Sequence, residues 1–327
     1  MNFGTVGTGW ITDAFIEASG YSQELTHSAV YSRTTNKADA FAQKHDVKHV
    51  FTDIQEMAAS DVLDVVYIAS PNALHFEQSV AFLKQQKHVI CEKPIFSNIH
   101  EWEEAHRIAD EQGVFLLEAM RNVHAPNFRT IWEELQQIGP IRSMILPFVQ
   151  YSSRYDKHLA GDVPNVFSPV FSGGALVDLG VYPLALALGL FGAPVSSAYY
   201  PVKLSSDVDG SGVLILEYPG FTGTILCSKI AQSSNTCEIH GEKGTLVFDN
   251  PGDMYHPRII RPDGGETQLS ADDHPNNMVY EASIFAQIIC EGDKQTYEKL
   301  TKLSRDILMI TEKARYSNGI LFDSEKS

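Results

Sequence analysis

Lys93 stands in Glu92-Lys93-Pro94, directly after the apolar run Val89-Ile90-Cys91. A lysine at the end of a buried strand must keep its water or find an anion, and such a group readily changes its pKa and its chemical role. Farther along, Gly173-Gly174-Ala175-Leu176-Val177-Asp178-Leu179-Gly180-Val181-Tyr182-Pro183 carries Asp178 and Tyr182 at a spacing of four, which a helix turns to one face. A phenol is a poor base at its free pKa of ~10. A nearby ammonium stabilises the phenolate and brings it into the working range of proton transfer. Lys93 is the candidate for that charge, and Asp178 the candidate for orienting it or a substrate hydroxyl. The structural alternative is that Asp178 caps a buried helix, Tyr182 packs within it, and Lys93 makes an ordinary ion pair.

Other polar loops follow apolar strand runs. The first is Gly7-Thr8-Gly9-Trp10-Ile11-Thr12. It has two glycines of the Gly-x-Gly-x-x-Gly pattern that lets a backbone approach a pyrophosphate, with Thr12 at the third position. The second is Ser32-Arg33-Thr34, with Lys37 in the helix that follows. A carboxylate there would suit the ribose hydroxyls of NAD(H), whereas a serine and cations suit a 2′-phosphate. The cofactor expectation is therefore NADP(H), with NAD(H) as the alternative. The third is Ser70-Pro71-Asn72, where Pro71 stops a strand, Asn72 can cap a helix, and His75 follows. In a parallel sheet these loops and Glu92-Lys93 open on the same carboxyl edge, where ligands bind. Gly7, Thr8, Gly9, Trp10, Ile11, Ser32, Arg33, Lys37, Ser70, Asn72, His75, Glu92 and Lys93 are the expected cofactor contacts.

The elements that must position them alternate. Strands are expected at Phe3–Val6, Ser28–Ser32, Val65–Ala69, His88–Cys91 and Val114–Leu117, with helices at 10–19, 36–45, 73–85 and 101–112. Continuous apolar strands between amphipathic helices predict a doubly wound parallel α/β sheet of Rossmann type over residues 1–120. Residues 121–327 predict an α+β domain with an open, mostly antiparallel sheet: a helix at 127–137, a strand beginning near Ile141, a loop-like stretch from Ser152 to Ser172, a helix from Gly173 to about Leu190, and an antiparallel meander from Ser196 to Phe248. Two C-terminal helices near 278–290 and 297–318 follow, free to pack back on the first domain.

Composition narrows the function classes. The chain has 327 residues, 43% hydrophobic and 20% charged, as expected of a soluble two-domain enzyme. Its net charge of -16 argues against nucleic acid or an anionic membrane as a partner. Cys91, Cys227, Cys237 and Cys290 form no CxxC pair and no metal-ligand spacing, so no metal is expected and a reducing cytoplasm is. Met1-Asn2-Phe3-Gly4 does not read as a secretory leader, and no run reaches the ~18 apolar residues of a membrane span, Val181–Phe191 being too short.

These residues resemble the glucose–fructose oxidoreductase / inositol dehydrogenase (Gfo/Idh/MocA) family over essentially the whole chain. The resemblance is carried by Gly7-Thr8-Gly9-Trp10-Ile11, Ser70-Pro71-Asn72-Ala73-Leu74-His75, Glu92-Lys93-Pro94 and the Gly173–Pro183 segment. Tyr182, where many members carry histidine, is most similar to the dihydrodiol dehydrogenase, xylose dehydrogenase and glucose–fructose oxidoreductase branch, which commonly uses NADP. The resemblance implies hydride transfer between nicotinamide and the carbinol carbon of a sugar, polyol or cyclic diol, with Lys93, Asp178 and Tyr182 catalytic. It also implies a cis Lys93-Pro94 bond and a homodimer or homotetramer built on the C-terminal sheet. Where many relatives have an arginine before a His-Pro, this chain has Val123, and Arg121 is the candidate replacement. Arg121, Tyr151, Arg154 and Asn165 are the expected substrate-pocket residues. Two rivals from the same family are a catalytically silent dinucleotide-binding regulator, which retention of Lys93, Asp178 and Tyr182 argues against, and an NAD-dependent glycosidase, which Ser32-Arg33 argues against. A plain interaction module that binds no dinucleotide is the third.

Overall fold

Strand β1 (Asn2–Val6) is buried from Phe3 onward and opens an alternating series. It continues as α1 (Trp10–Ser19), β2 (Thr26–Tyr31), α2 (Thr35–His45), β3 (His49–Phe51), α3 (Ile54–Ala59), β4 (Val65–Ile68), α4 (His75–Leu83), β5 (His88–Glu92), α5 (Ile99–Gln112) and β6 (Leu116–Ala119). The computed structural model describes residues 1–269 and 274–326. These strands pair in parallel in the order β3-β2-β1-β4-β5-β6. Strand order reverses between β1 and β4, the crevice where such sheets take ligands. All four residues of β4 are buried, the mark of a sheet covered on both faces. The sequence reading missed β3 and α3. β3 is three residues at the sheet edge with no buried residue, and α3 buries only Met57 and Ala58, so neither leaves a periodic signal.

The chain forms two compact units: Met1–Ala119 with His274–Arg305, and Met120–Asp273 with Asp306–Ser327. The range 121–327, expected as one domain, is thus interrupted. The helix Met278–Glu291 buries Met278, Ala282 and Phe285 in one core with Phe3, Phe15 and Tyr67. Full burial of a side chain such as Phe285 contributes about 1.5–3 kcal/mol, which is what holds this distant segment in the first unit.

The second unit contains α6 (Pro126–Glu134), β7 (Ile141–Val149), α7 (Tyr155–Leu159), a π-helical turn (Leu176–Gly180) and α8 (Val181–Phe191). Then come β8 (Ser196–Lys203), β9 (Asp209–Tyr218), β10 (Phe221–Ser228), β11 (Cys237–Gly241), β12 (Gly244–Asp249), β13 (Tyr255–Ile260) and β14 (Glu266–Gln268). Their order is β14-β13-β12-β11-β7-β10-β9-β8. This corrects the simple meander: β7 enters between β11 and β10, antiparallel to the first and parallel to the second. Sequence-adjacent strands make hairpins, but nothing local announces that an early strand will part them. β13 and β14 were also missed; Pro257 and the charged residues of β13 and the three-residue length of β14 hide them. The expected loop from Ser152 to Ser172 carries α7 and two 3₁₀ turns.

One face of this sheet buries Met144, Leu146, Leu214, Leu216, Ile225 and Ile239, and α8 is buried at every residue from Val181 to Leu188. The apolar helical stretch is longer than the sequence reading allowed. Helical turns run from Pro169 to Phe191, 23 residues, long and apolar enough by length and composition to cross a membrane, and 78% of its most apolar window is buried in the protein. Cys91, Cys227 and Cys237 are buried free thiols, and Cys290 is an exposed one.

Candidate active site

In the first unit, Gly7 has φ +112°, and a Cβ there would stand 2.6 Å from the Ala69 carbonyl oxygen. Only glycine lets the chain pass the end of β4 this closely. Gly9 precedes α1 without a side-chain cap, and a Cβ there would meet nothing within 4 Å. Thr8 and Ile11 are half-buried and Trp10 is 75% exposed, so the N-terminal end of α1 is open toward solvent. Backbone N–H groups and the positive end of the helix dipole suit a pyrophosphate at such a place. Thr12 is fully buried at the helix–strand contact that the third glycine usually serves. At the end of β2, Ser32 donates its N–H to the Phe51 carbonyl at 3.2 Å, and the side chains of Arg33 and Lys37 are exposed.

At the end of β4, Ser70 Oγ donates to Gln78 Oε1 at 2.6 Å. Asn72 is the first residue of a 3₁₀ turn whose capping position is Pro71, which corrects its expected role as a cap. His75 is 1% exposed, with Nδ1 3.0 Å from the Pro94 carbonyl oxygen and Nε2 2.9 Å from that of Ser70. Both ring nitrogens face backbone carbonyl oxygens, and the neutral ring donates its single N–H to one of them. His75 therefore sits between the loop after β4 and the loop after β5. Burial holds its pKa below the ordinary histidine value.

Glu92 accepts from the Tyr67 hydroxyl at 2.5 Å and from the Lys93 N–H at 3.2 Å. Tyr67 is itself fixed by stacking on Phe15, ring centroids 3.8 Å apart. The Lys93-Pro94 peptide is cis. Just beyond it, the Ile95 N–H donates to Glu118 Oε1 at 3.0 Å. Burial pushes the Glu118 carboxyl up to about 7; the hydrogen bonds from Ser304 and Ile95 oppose that rise, and the neighbouring Glu92 and Lys93 charges act in opposite senses. Lys93 is half-buried in this acidic setting.

In the second unit, Gly174 has φ +142°, and a Cβ there would lie 2.4 Å from Asp209 Oδ1. The other oxygen of Asp209 accepts from the Leu176 N–H and from the Tyr199 hydroxyl, each at 2.7 Å. Asp209 is fully buried, and burial raises its pKa and that of Tyr199. This carboxyl seats the first N–H of the π turn that carries Asp178. A π turn in a helix is uncommon and is found frequently at functional sites. Asp178 pairs with Lys229, whose side chain is 7% exposed and whose ammonium lies 5.8 Å from the Phe167 ring centroid. Within this unit, then, Asp178 has a lysine partner, Lys229, that the sequence reading did not name.

Tyr182 is 9% exposed. Its ring meets Phe148 edge-on at 5.6 Å and lies 5.6 Å from the Arg121 guanidinium, which pairs with Asp253 at 3.5 Å. Asn122 Nδ2 donates to the carbonyls of Tyr182 and Pro251, both at 2.9 Å. Of the expected substrate residues, Arg121 thus joins the Tyr182 cluster. Tyr151, Arg154 and Asn165 are exposed, on the loop region from 151 to 165; the Tyr151 hydroxyl donates to Asp156 at 2.7 Å. Phe148 and Pro251 also line a recess of about 330 Å³. Among the described residues, no group of three or more His, Cys, Asp or Glu is placed to hold a metal ion.

Sequence reasoning missed Lys229, Asp209 and Asn122. A signal for Lys229 was present: it is a lysine just past the apolar end of β10, the same anomaly that marked Lys93. Asp209 sits in Ser-Asp-Val-Asp-Gly, which reads as an ordinary turn.

Residues 1–120 match the family described as "Oxidoreductase family, NAD-binding Rossmann fold", and residues 135–247 match the "GFO/IDH/MocA C-terminal domain". The chain is 42% identical over 327 residues, all of both proteins, to scyllo-inositol 2-dehydrogenase (NADP(+)) IolU of Bacillus subtilis. The chain belongs to the Gfo/Idh/MocA oxidoreductase family. Human trans-1,2-dihydrobenzene-1,2-diol dehydrogenase, more distant, is 27% identical over 341 residues, covering 100% of this chain and 99% of that one. Among solved structures, the 3-ketoreductase KijD10 of Actinomadura kijaniata, in complex with TDP-benzene and NADP, superposes with a TM-score of 0.83 at 24% identity over 96% of each chain. That likeness establishes the shared Gfo/Idh/MocA fold, a parallel six-stranded sheet and a mostly antiparallel eight-stranded one.

Proposed function

We propose that the protein is an NADP(H)-dependent dehydrogenase or reductase acting on a CH–OH carbon of a cyclic polyol, sugar or cyclic diol. The observation that carries this reading is the end of β2, where exposed Arg33 and Lys37 stand beside Ser32 and no carboxylate occupies 32–34, in a chain 42% identical along its whole length to an NADP(+)-named inositol dehydrogenase. The residues present fit the cofactor. The Gly7 turn leaves no room for a side chain, the N-terminus of α1 is open, and two cations are available to a 2′-phosphate. When bound, NADP(H) supplies or accepts the hydride at its nicotinamide.

The chain's own residues move the proton. In this reading Tyr182 takes or returns the substrate hydroxyl proton, and Lys93 is the cation that favours the phenolate. Asp178, steadied by Lys229, holds a substrate hydroxyl. Phe148 and Arg121 fix the Tyr182 ring, so the phenol is oriented before substrate arrives. The test is NADP(H)-linked absorbance change across a panel of inositols, pentoses and trans-diols, run with wild type and Tyr182→Phe. Turnover should fall by roughly 10²–10⁴-fold in the variant while NADP(H) still binds. Equal turnover in both proteins rejects Tyr182 as the proton carrier, and the absence of any NADP(H)-linked turnover rejects the reaction class.

We also propose that the open face of the second sheet pairs with a second copy of the chain. Cross-strand neighbours Tyr200, Val213, Leu226 and Pro147 form an apolar row across four strands, running from Tyr200, 65% exposed, through half-buried Val213 and Leu226 to buried Pro147. The exposed end of such a row marks an interaction surface.

A further inference from the structure

Lys229 follows the last residue of β10, and its backbone is pinned on both sides. Its N–H donates to the Gly210 carbonyl at 2.8 Å, and its carbonyl accepts the Ser152 N–H at 2.9 Å. The side chain is 7% exposed; its ammonium pairs with Asp178 and lies 5.8 Å from the centroid of the buried Phe167 ring. The π turn meets it from the other side. A Cβ at Gly180 would stand 3.3 Å from Cys227 Sγ, so the turn lies directly on β10 and brings Asp178 to the end of the strand that Lys229 follows. Asp178 keeps 28% of its side-chain surface in solvent, so a ligand can reach the carboxylate while the cation stays behind it.

Replacing a buried ion pair by apolar side chains of similar volume is often neutral or stabilising, so packing alone gives no reason for a lysine here. Chemistry does. An ammonium beside a carboxylate favours its ionised form. An ionised carboxylate only accepts hydrogen bonds, and with about four lone-pair sites on its two oxygens one ion pair does not exhaust it. Of the other titratable groups packed around this turn, Asp209 and Cys227 are acids pushed up by burial, and Tyr182 and Tyr199 are phenols. His158 contacts the Phe167 ring, centroids 5.4 Å apart, and Arg121 pairs with Asp253 beside the Tyr182 ring. Lys229 is the cation seated on Asp178 within this unit. We propose that Lys229 is a positioning residue for the reaction: it keeps Asp178 ionised and aimed, so that this carboxylate, one helical turn from Tyr182, accepts a substrate hydroxyl while Tyr182 exchanges the reacting proton. The role rests on the parts given to Asp178 and Tyr182 in the proposed reaction, and it acts only through Asp178.

The test is steady-state NADP(+)-linked oxidation of inositol, xylose and trans-1,2-cyclohexanediol from about pH 5 to about pH 9. The proteins are wild type, Lys229→Met, Lys229→Arg, Asp178→Asn and the double variant Lys229→Met/Asp178→Asn, each shown to be folded by circular dichroism. On the ring that wild type oxidises fastest, Lys229→Met should lower kcat/KM by roughly 10–100-fold, the size of a hydrogen bond to a charged group. It should also move the acid limb of the pH profile to higher pH, because a carboxylate without its cation takes up a proton more readily. Lys229→Arg should restore most of the activity and the wild-type limb. In the Asp178→Asn background, Lys229→Met should cost no further activity; this double variant leaves no unpaired charge and keeps the comparison open if Lys229→Met does not fold. Losses that multiply in the double variant, or a folded Lys229→Met with wild-type kcat/KM and acid limb, would overturn the role of Lys229 alone. Wild-type kcat/KM in Asp178→Asn would instead overturn the part given to Asp178, and with it this role. No wild-type turnover of any of the three rings would overturn the reaction class itself.

Discussion

Lys229 is the residue that most changes the chemistry expected of this chain. Its ammonium is nearly buried and pairs with Asp178, so removing it takes a cation from a partly buried carboxylate. Breaking one side of such a pair costs about 3 kcal/mol, at the low end of the usual range because Asp178 keeps 28% of its side-chain surface in water. Lys229→Met should lose that much in chemical denaturation, Lys229→Arg much less, and the double variant Lys229→Met/Asp178→Asn should recover most of it. A double variant no better than the single one would mean that Lys229 is held for another reason. At the same scale, Arg33→Ala combined with Lys37→Ala should weaken NADP(H) by about 10–100-fold and leave NAD(H) within a few-fold, read as ligand-induced thermal shifts. Equal losses for both cofactors would remove the basis for an NADP preference. The strand-end lysine and the glycine turn were legible because each is an anomaly within a few residues. The partner of Asp178 was not, because it lies 51 residues away.

At the scale of elements, β6 carries a pH-sensitive group into the loop that follows β5. Glu118 accepts the Ile95 N–H, and burial lifts its pKa from 4.5 to about 7. Between those values the folded state binds a proton that the unfolded chain has released, so stability falls as pH rises from about 4.5 to about 7 and is level above it. A rise of that size corresponds to roughly 3 kcal/mol. Glu118→Gln retains an acceptor for Ile95 and has no carboxylate to charge. Its melting temperature should therefore lack this component of the decline and exceed wild type above pH 7, by differential scanning calorimetry from pH 4.5 to 8. A wild-type slope retained in the variant would place the pH dependence elsewhere. Element existence was readable where apolar periodicity is strong, as in β4, β5 and α8. It failed where strands are short or carry charges and proline, as in β3, β13 and β14.

At the scale of the molecule, the apolar row on the open sheet makes assembly a measurable property. Leu226→Glu places a charge in the middle of the Tyr200–Val213–Leu226–Pro147 row without touching the buried face, and size exclusion with light scattering should show the complex falling to single chains. A single-chain mass for the wild-type protein would reject the assembly. By itself the sequence determined the parallel α/β half, the edge on which its loops gather, and Lys93, Asp178 and Tyr182 as residues with chemical potential. All of these are written in patterns a few residues long: apolar runs, the glycine turn, the helical spacing of four. Only the tertiary structure decided that β7 parts β11 from β10, that Met278–Glu291 belongs to the core of Phe3 and Phe15, and that Lys229 holds Asp178. Each of those depends on which distant surfaces bury best against one another, and no local run of residues carries that comparison.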